Sequence, residues 1–153
     1  MILWVRHGQS TWNVLDRLQG QTAHPPLTEL GRAQSAHAAG SLADAGAVRL
    51  LTSPAVRAQQ TAEIIGSYLG LEVETEPLLL ERDLDEEITD VLVRIRTFLD
   101  RDHRDHTIAV SHGDTIALAV GMLSGRPPTP PANASVTWVD PHTGDVQVTS
   151  PPD

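Results

Sequence analysis

Two histidines stand in the same local setting at distant points of the chain. Each follows a short apolar run and precedes a glycine: Val5-Arg6-His7-Gly8 and Val110-Ser111-His112-Gly113. A third apolar run, Val48–Leu51, stops at Thr52-Ser53-Pro54, three residues before Arg57. An imidazole titrates near neutrality, so it can attack as a nucleophile or carry a proton. Two guanidiniums brought together, Arg6 and Arg57, require a multivalent anion, and their planar forks match phosphate. Gly8 and Gly113 would let backbone approach such an anion closely. The residue types therefore point to a phosphate-like ligand bound beside two imidazoles.

These side chains meet only if the elements carrying them end at one place. Ile2–Val5 and Thr107–Val110 are apolar throughout rather than alternating, which is the pattern of strands buried on both faces of a parallel sheet. Leu71–Val73 reads as another short strand. Helices are expected over Glu29–Ala45, with Thr28 as N-cap and Gly46 at the far end, and after Ser53, with Ser53 as N-cap, Pro54 at N1 and Gly70 beyond the last turn. Ala55, Ala58, Ala62, Ile65 and Leu69 share one face of that second helix. Ile88–Asp100 and Thr115–Leu123 read as two further helices. Val136–Val139 and Val146–Thr149 flank Asp-Pro-His-Thr-Gly-Asp and suggest a closing hairpin. Strands alternating with helices imply a three-layer α/β/α sandwich around a mostly parallel sheet. In such sheets ligands bind at the carboxyl ends of the strands, which is where Arg6, His7, Arg57 and His112 all fall.

The bulk numbers set limits. At 153 residues, one domain spanning 1–153 is the expectation. There is no cysteine, so thiol nucleophiles, thiolate metal sites and disulfides are excluded. Eleven basic and twenty acidic residues leave a formal charge of −9, which argues against nucleic acid or an anionic membrane as partner. No apolar run approaches a bilayer span, and the chain does not open on a charged segment followed by an apolar one. A cytoplasmic protein is expected. His103 and His106, among alternating charges, read as a solvated helix end rather than a metal site, and His24 as a loop residue or part of the site's mouth. His37 and His142 read as surface residues, Trp4 and Trp138 as core, and Arg-Pro-Pro-Thr-Pro-Pro-Ala (126–132) as a loop.

The motifs, taken in order, resemble the histidine phosphatase superfamily, also called phosphoglycerate mutase-like. RHGQSTWNVLDRLQGQTAHPPLTELGRAQ is similar to its N-terminal signature, LTSPAVRAQQTAE to the segment carrying a second arginine, LLLER to that carrying an acid, and AVSHGDTI to that carrying a second histidine. The resemblance implies that His7 is the nucleophile and becomes phosphohistidine. It implies that Arg6, Arg57, His112 and Asn13 hold phosphoryl oxygens, with Gly113 beside them, and that Glu81 is the proton donor. It implies a phosphoric monoester hydrolase of the histidine acid type, needing no metal or cofactor, with a small phosphorylated substrate and inorganic phosphate as ligands. The neutral imidazole of His7, held in one tautomer by a backbone carbonyl, would attack phosphorus; two arginines and a protonated His112 would stabilise the oxygens.

The chain also departs from that pattern. Gln9 replaces the acid that usually follows Arg-His-Gly. After Glu81 the sequence runs almost directly into Ile88–Asp100, where many members carry a long covering insertion. An open site follows as an expectation, and with it hydrolysis over transfer of the phosphoryl group. The shortened connection leaves Glu81, Asp83 and Asp85 as alternative acids. Rival readings are a phosphohistidine or phosphoprotein phosphatase, a phosphoglycerate mutase-type phosphotransferase, and a catalytically retired phosphate-binding module.

Overall fold

The computed structural model describes residues 1–15, 25–101 and 105–151; His24 and His103 lie outside them. Six strands form one sheet: β1 (Ile2–Arg6), β2 (Arg49–Thr52), β3 (Val73–Thr75), β4 (Thr107–Ser111), β5 (Val136–Val139) and β6 (Val146–Thr149), in the order β3-β2-β4-β1-β5-β6. The first four in that order run parallel. The terminal hairpin adds β5 and β6 antiparallel, β5 against β1. The helices are α1 (Thr11–Val14), α2 (Glu29–Leu42), α3 (Val56–Leu69), α4 (Ile88–Leu99) and α5 (Gly113–Ser124), with a 3₁₀ turn at Pro77–Leu79.

The strand residues sort by parity, because successive side chains leave a strand on opposite faces. Leu3, Val5, Leu50, Ile108 and Val110 meet Ala38, Ala39 and Leu42 of α2 and Ala58, Ala62 and Ile65 of α3. Trp4, Leu51 and Ala109 face the other way, onto Val91, Ile95 and Phe98 of α4 and Ile116 and Ala119 of α5. Alanines supply most of the named helix side of the first layer. In the second layer Trp4 supplies the bulk and meets Phe98 at a ring separation of 5.8 Å and a 60° tilt. The expected three layers are present, around a mixed sheet.

Several boundaries differ from the sequence reading, each for a local reason. Helix α3 is capped by Ala55 rather than Ser53 and begins at Val56. Gly70 ends it as expected, at φ 71°. Leu71 N–H is taken by the Gly66 carbonyl, so Leu71 belongs to the helix end, and β3 runs from Val73 to Thr75. Helix α2 stops at Leu42, three residues early. Helix α5 starts at Gly113, directly on the strand end, rather than at Thr115. Trp4 is core, while Trp138 is only partly buried, against the opposite face of the sheet.

Candidate functional site

Strand register brings the two histidines together. Arg6 of β1 pairs with Ser111 of β4, so His7 and His112 leave the sheet side by side. The His7 N–H donates to the Ser111 carbonyl at 3.1 Å, and the two rings meet edge-on with centroids 5.3 Å apart. On the other flank Thr52 pairs with Val110, and Ser53 N–H continues that ladder to the Val110 carbonyl at 2.9 Å. Arg57 enters from the first turn of α3, and Glu81 from the segment after the 3₁₀ turn. Parallel strands with one common carboxyl end are what make the meeting possible.

The His7 Nδ1–H donates to the carbonyl of its neighbour Gly8 at 2.7 Å. A carbonyl only accepts, so the proton is on Nδ1 and the lone pair is left on Nε2. Burial, with Arg57 and Arg6 close by, drops the His7 pKa to about 3, so the ring is neutral across ordinary pH. His112 is also pushed well down by burial, by His7 and by the two arginines. In the free site this favours a neutral His112. Its Nε2 sits 2.7 Å from Ser53 Oγ. Its Nδ1 lies 3.8 Å from a Glu81 carboxylate oxygen and has no hydrogen-bond partner among the described residues.

Arg57 is fully buried and its guanidinium donates to Glu81 Oε2 at 2.9 Å. Burial raises the Glu81 pKa even though Arg57 pulls it down. Arg6 donates through one terminal nitrogen to the Pro131 carbonyl at 2.7 Å, while its buried Nε has no partner among the described residues. Burial depresses the pKa of both arginines, with Glu81 opposing. Of the three alternative acids, Asp83 and Asp85 are exposed, and Glu81 is the one against Arg57 and His112. Its segment is pinned from below. The Leu79 carbonyl accepts from Ser111 Oγ at 2.6 Å, and the Leu80 carbonyl from Thr115 Oγ1 at 2.9 Å and Arg94 at 2.8 Å.

Asn13 closes the α1 turn. Its Oδ1 accepts from Ser10 N–H at 2.9 Å and from Asn133 Nδ2 at 3.4 Å. Asn133 also donates to the His7 carbonyl at 3.1 Å, tying that turn to the nucleophile's backbone. Gly113 sits against Arg6: a Cβ there would lie 3.4 Å from the guanidinium carbon. Gly8 has a different task from the one expected. A Cβ on it would meet the Gly31 carbonyl oxygen at 2.3 Å, so its bare backbone admits α2 rather than an anion. Gln9, in place of the usual acid, accepts through Oε1 from Thr28 Oγ1 at 3.0 Å.

Within this cluster His7, Arg57 and His112 are each at most 1% exposed. The sequence reading passed over Ser53 as a ligand of His112, Thr61, whose Oγ1 accepts from Gly8 N–H at 3.0 Å, and Asn133. A serine and a threonine at a strand end and one turn into a helix gave a signal, but one that capping explains equally well. Asn133 gave none.

The comparisons with known proteins agree with this geometry. A profile of the histidine phosphatase superfamily (branch 1) matches residues 2–87. The chain belongs to that superfamily. It is 35% identical over 124 residues, 81% of this chain and 52% of the relative, to the "Probable phosphoglycerate mutase GpmB" of Cronobacter sakazakii. It is 39% identical over 83 residues to the protein of the same name from Yersinia enterocolitica, covering 54% of this chain and 38% of that one. The chain thus spans about half the length of these relatives or less. Among solved structures, a mycobacterial glucosyl-3-phosphoglycerate phosphatase superposes with a TM-score of 0.82 at 24% identity, covering 97% of this chain and 96% of the other. A phosphoglycerate mutase from Thermus thermophilus superposes at 0.78 and 24%, covering 99% of each chain. The superfamily fold is therefore established over nearly the whole chain. Among the described residues no helix is long and apolar enough to cross a membrane.

Proposed function

We propose that this protein is a metal-independent phosphomonoesterase acting on a small phosphorylated metabolite through a phosphohistidine at His7. The observation that carries the reading is two buried nitrogens with no hydrogen-bond partner among the described residues, Arg6 Nε and His112 Nδ1, beside a neutral His7 whose Nε2 holds the lone pair. Buried polar groups are rarely left unsatisfied, and phosphoryl oxygens would satisfy these.

In the proposed cycle His7 Nε2 attacks phosphorus and the bond to the ester oxygen breaks. Arg6, Arg57, His112 and the Asn13 amide hold the equatorial oxygens, with Gly113 keeping the backbone close. The arriving dianion displaces Glu81 from Arg57. Glu81, its pKa already raised by burial, takes up a proton and gives it to the departing alkoxide. Water then attacks the phosphohistidine, Glu81 accepts its proton, and inorganic phosphate leaves. A dianion between the rings also stabilises protonated His112, with Ser53 accepting from Nε2.

Hydrolysis of p-nitrophenyl phosphate in excess chelator, by wild type and His7→Ala, tests the reading. Chelator-resistant turnover abolished in His7→Ala is expected; activity that survives in the variant removes His7 from the chemistry. The name carried by the relatives favours a second reading, phosphoryl transfer between positions of a phosphoglycerate. Interconversion of 2- and 3-phosphoglycerate faster than phosphate release would select it.

A further inference from the structure

A cavity of about 220 Å³ is lined by Arg82 and Asp114, the residues that directly follow Glu81 and Gly113, together with Ile88, Ala117, Leu118, Pro128 and Pro130. Its two charged walls border the proposed machinery. Asp114 follows Gly113 on the first turn of α5, close enough to Arg6 and Glu81 to bear on the protonation of both. Arg82 follows Glu81 and is held by its Nε, which donates to the Glu86 carbonyl at 2.8 Å. Glu86 is itself neutralised by Arg94 at 2.7 Å, so it adds no charge to this wall.

The volume holds about seven waters at their liquid density, the size of a glycerol or a fragment of a sugar. The wall carries one cation and one anion, and the remainder is aliphatic. Such a wall suits a ligand with hydroxyls to donate to Asp114 and accept from Arg82, and C–H faces to lie on Pro128, Pro130 and Leu118. A net anion is ill-suited to it. It would meet Asp114 with only Arg82 in its favour, because Arg6 and Arg57 are needed by the phosphoryl group.

We propose that this cavity is the leaving-group subsite, and that it selects neutral, hydroxyl-bearing alcohols over carboxylate-bearing ones through Asp114. The inference rests on the phosphomonoesterase reading and deepens it. It sets the chain apart from an enzyme of phosphoglycerates, whose leaving group is an acid.

A matched pair of esters tests it. Glycerol 3-phosphate and 3-phosphoglycerate have the same length and differ in a hydroxymethyl group against a carboxylate. Wild type is expected to favour the glycerol ester at least ten-fold in kcat/KM. Asp114→Asn should shrink that ratio about ten-fold, the effect of one unit charge about 6 Å from a carboxylate in an effective dielectric of about 40. Arg82→Gln should widen it. Equal use of the two esters by wild type, a preference for the glycerate, or a ratio indifferent to Asp114→Asn overturns the proposal. The phosphatase reading stands or falls separately, on p-nitrophenyl phosphate turnover and its loss in His7→Ala. Should no ester be turned over, the affinities of the same two compounds for wild type and Asp114→Asn, measured by calorimetry, report the same preference. Equal affinities would again refute it.

Discussion

Glu81 occupies the guanidinium that the phosphoryl group needs, and this makes a prediction with two opposite signs. Its Oε2 is 2.9 Å from Arg57, whose side chain is fully buried, while that of Glu81 is 18% exposed. A dianion reaching Arg57 must first exchange with this charge-assisted bond. A hydrogen bond to a charged group contributes about 1.5–3 kcal/mol, and a factor of ten in affinity is about 1.4 kcal/mol. In Glu81→Gln the neutral amide still accepts from Arg57, so the lower end applies. Vanadate, a competitive inhibitor on this reading, should bind about ten-fold more tightly to the variant. The same change removes the proton donor, so kcat for an alkyl phosphate should fall by about 10²–10⁴. The assay is vanadate inhibition and glycerol phosphate turnover measured on the same preparations. Weaker vanadate binding together with unaltered kcat would refute both halves of the argument, because Glu81 would then neither compete with the anion nor supply the proton.

Three further outcomes follow from the geometry. Gly8→Ala puts a methyl 2.3 Å from the Gly31 carbonyl oxygen, backbone against backbone, and should cost about 2–3 kcal/mol in urea-induced unfolding; a loss under 0.5 kcal/mol would mean that α2 yields freely. His7, with its pKa depressed to about 3 in the folded state, stays neutral where the unfolded chain binds a proton, so stability should fall as pH drops from about 6.5 toward 3, by about 1.4 kcal/mol per pH unit, and His112 adds in the same direction. His7→Gln should show a visibly shallower slope in chemical denaturation across that window. Ser53→Ala leaves His112 Nε2 buried without its partner at 2.7 Å and should lower the unfolding free energy by about 1–3 kcal/mol, with a fall in turnover; an unchanged urea midpoint would show that another group takes over the ring.

What the sequence determined by itself is local or periodic. The unbroken apolar runs of β1 and β4 predicted buried parallel strands, and their His-Gly endings placed His7 and His112 at the carboxyl edge of a sheet. Thr28 caps α2 and Gly70 closes α3, because a cap is chemistry between residues a few positions apart. What the tertiary structure decided concerns pairs remote in sequence. The register of Arg6 with Ser111 sets the two rings edge to edge, and no local pattern encodes register between strands a hundred residues apart. Ser53 was legible as a cap but serves His112 across 59 positions, since Ala55 opens the helix instead. Gly8 was legible as a permissive residue, yet the neighbour it admits is Gly31. His112 looked like a cation by its role, and in the free site its burial, with His7 and Arg57 close by, favours the neutral ring. Residue types specify which chemistry is available; desolvation and long-range contact, which exist only once the chain has packed, set the charge and the partner with which each group performs it.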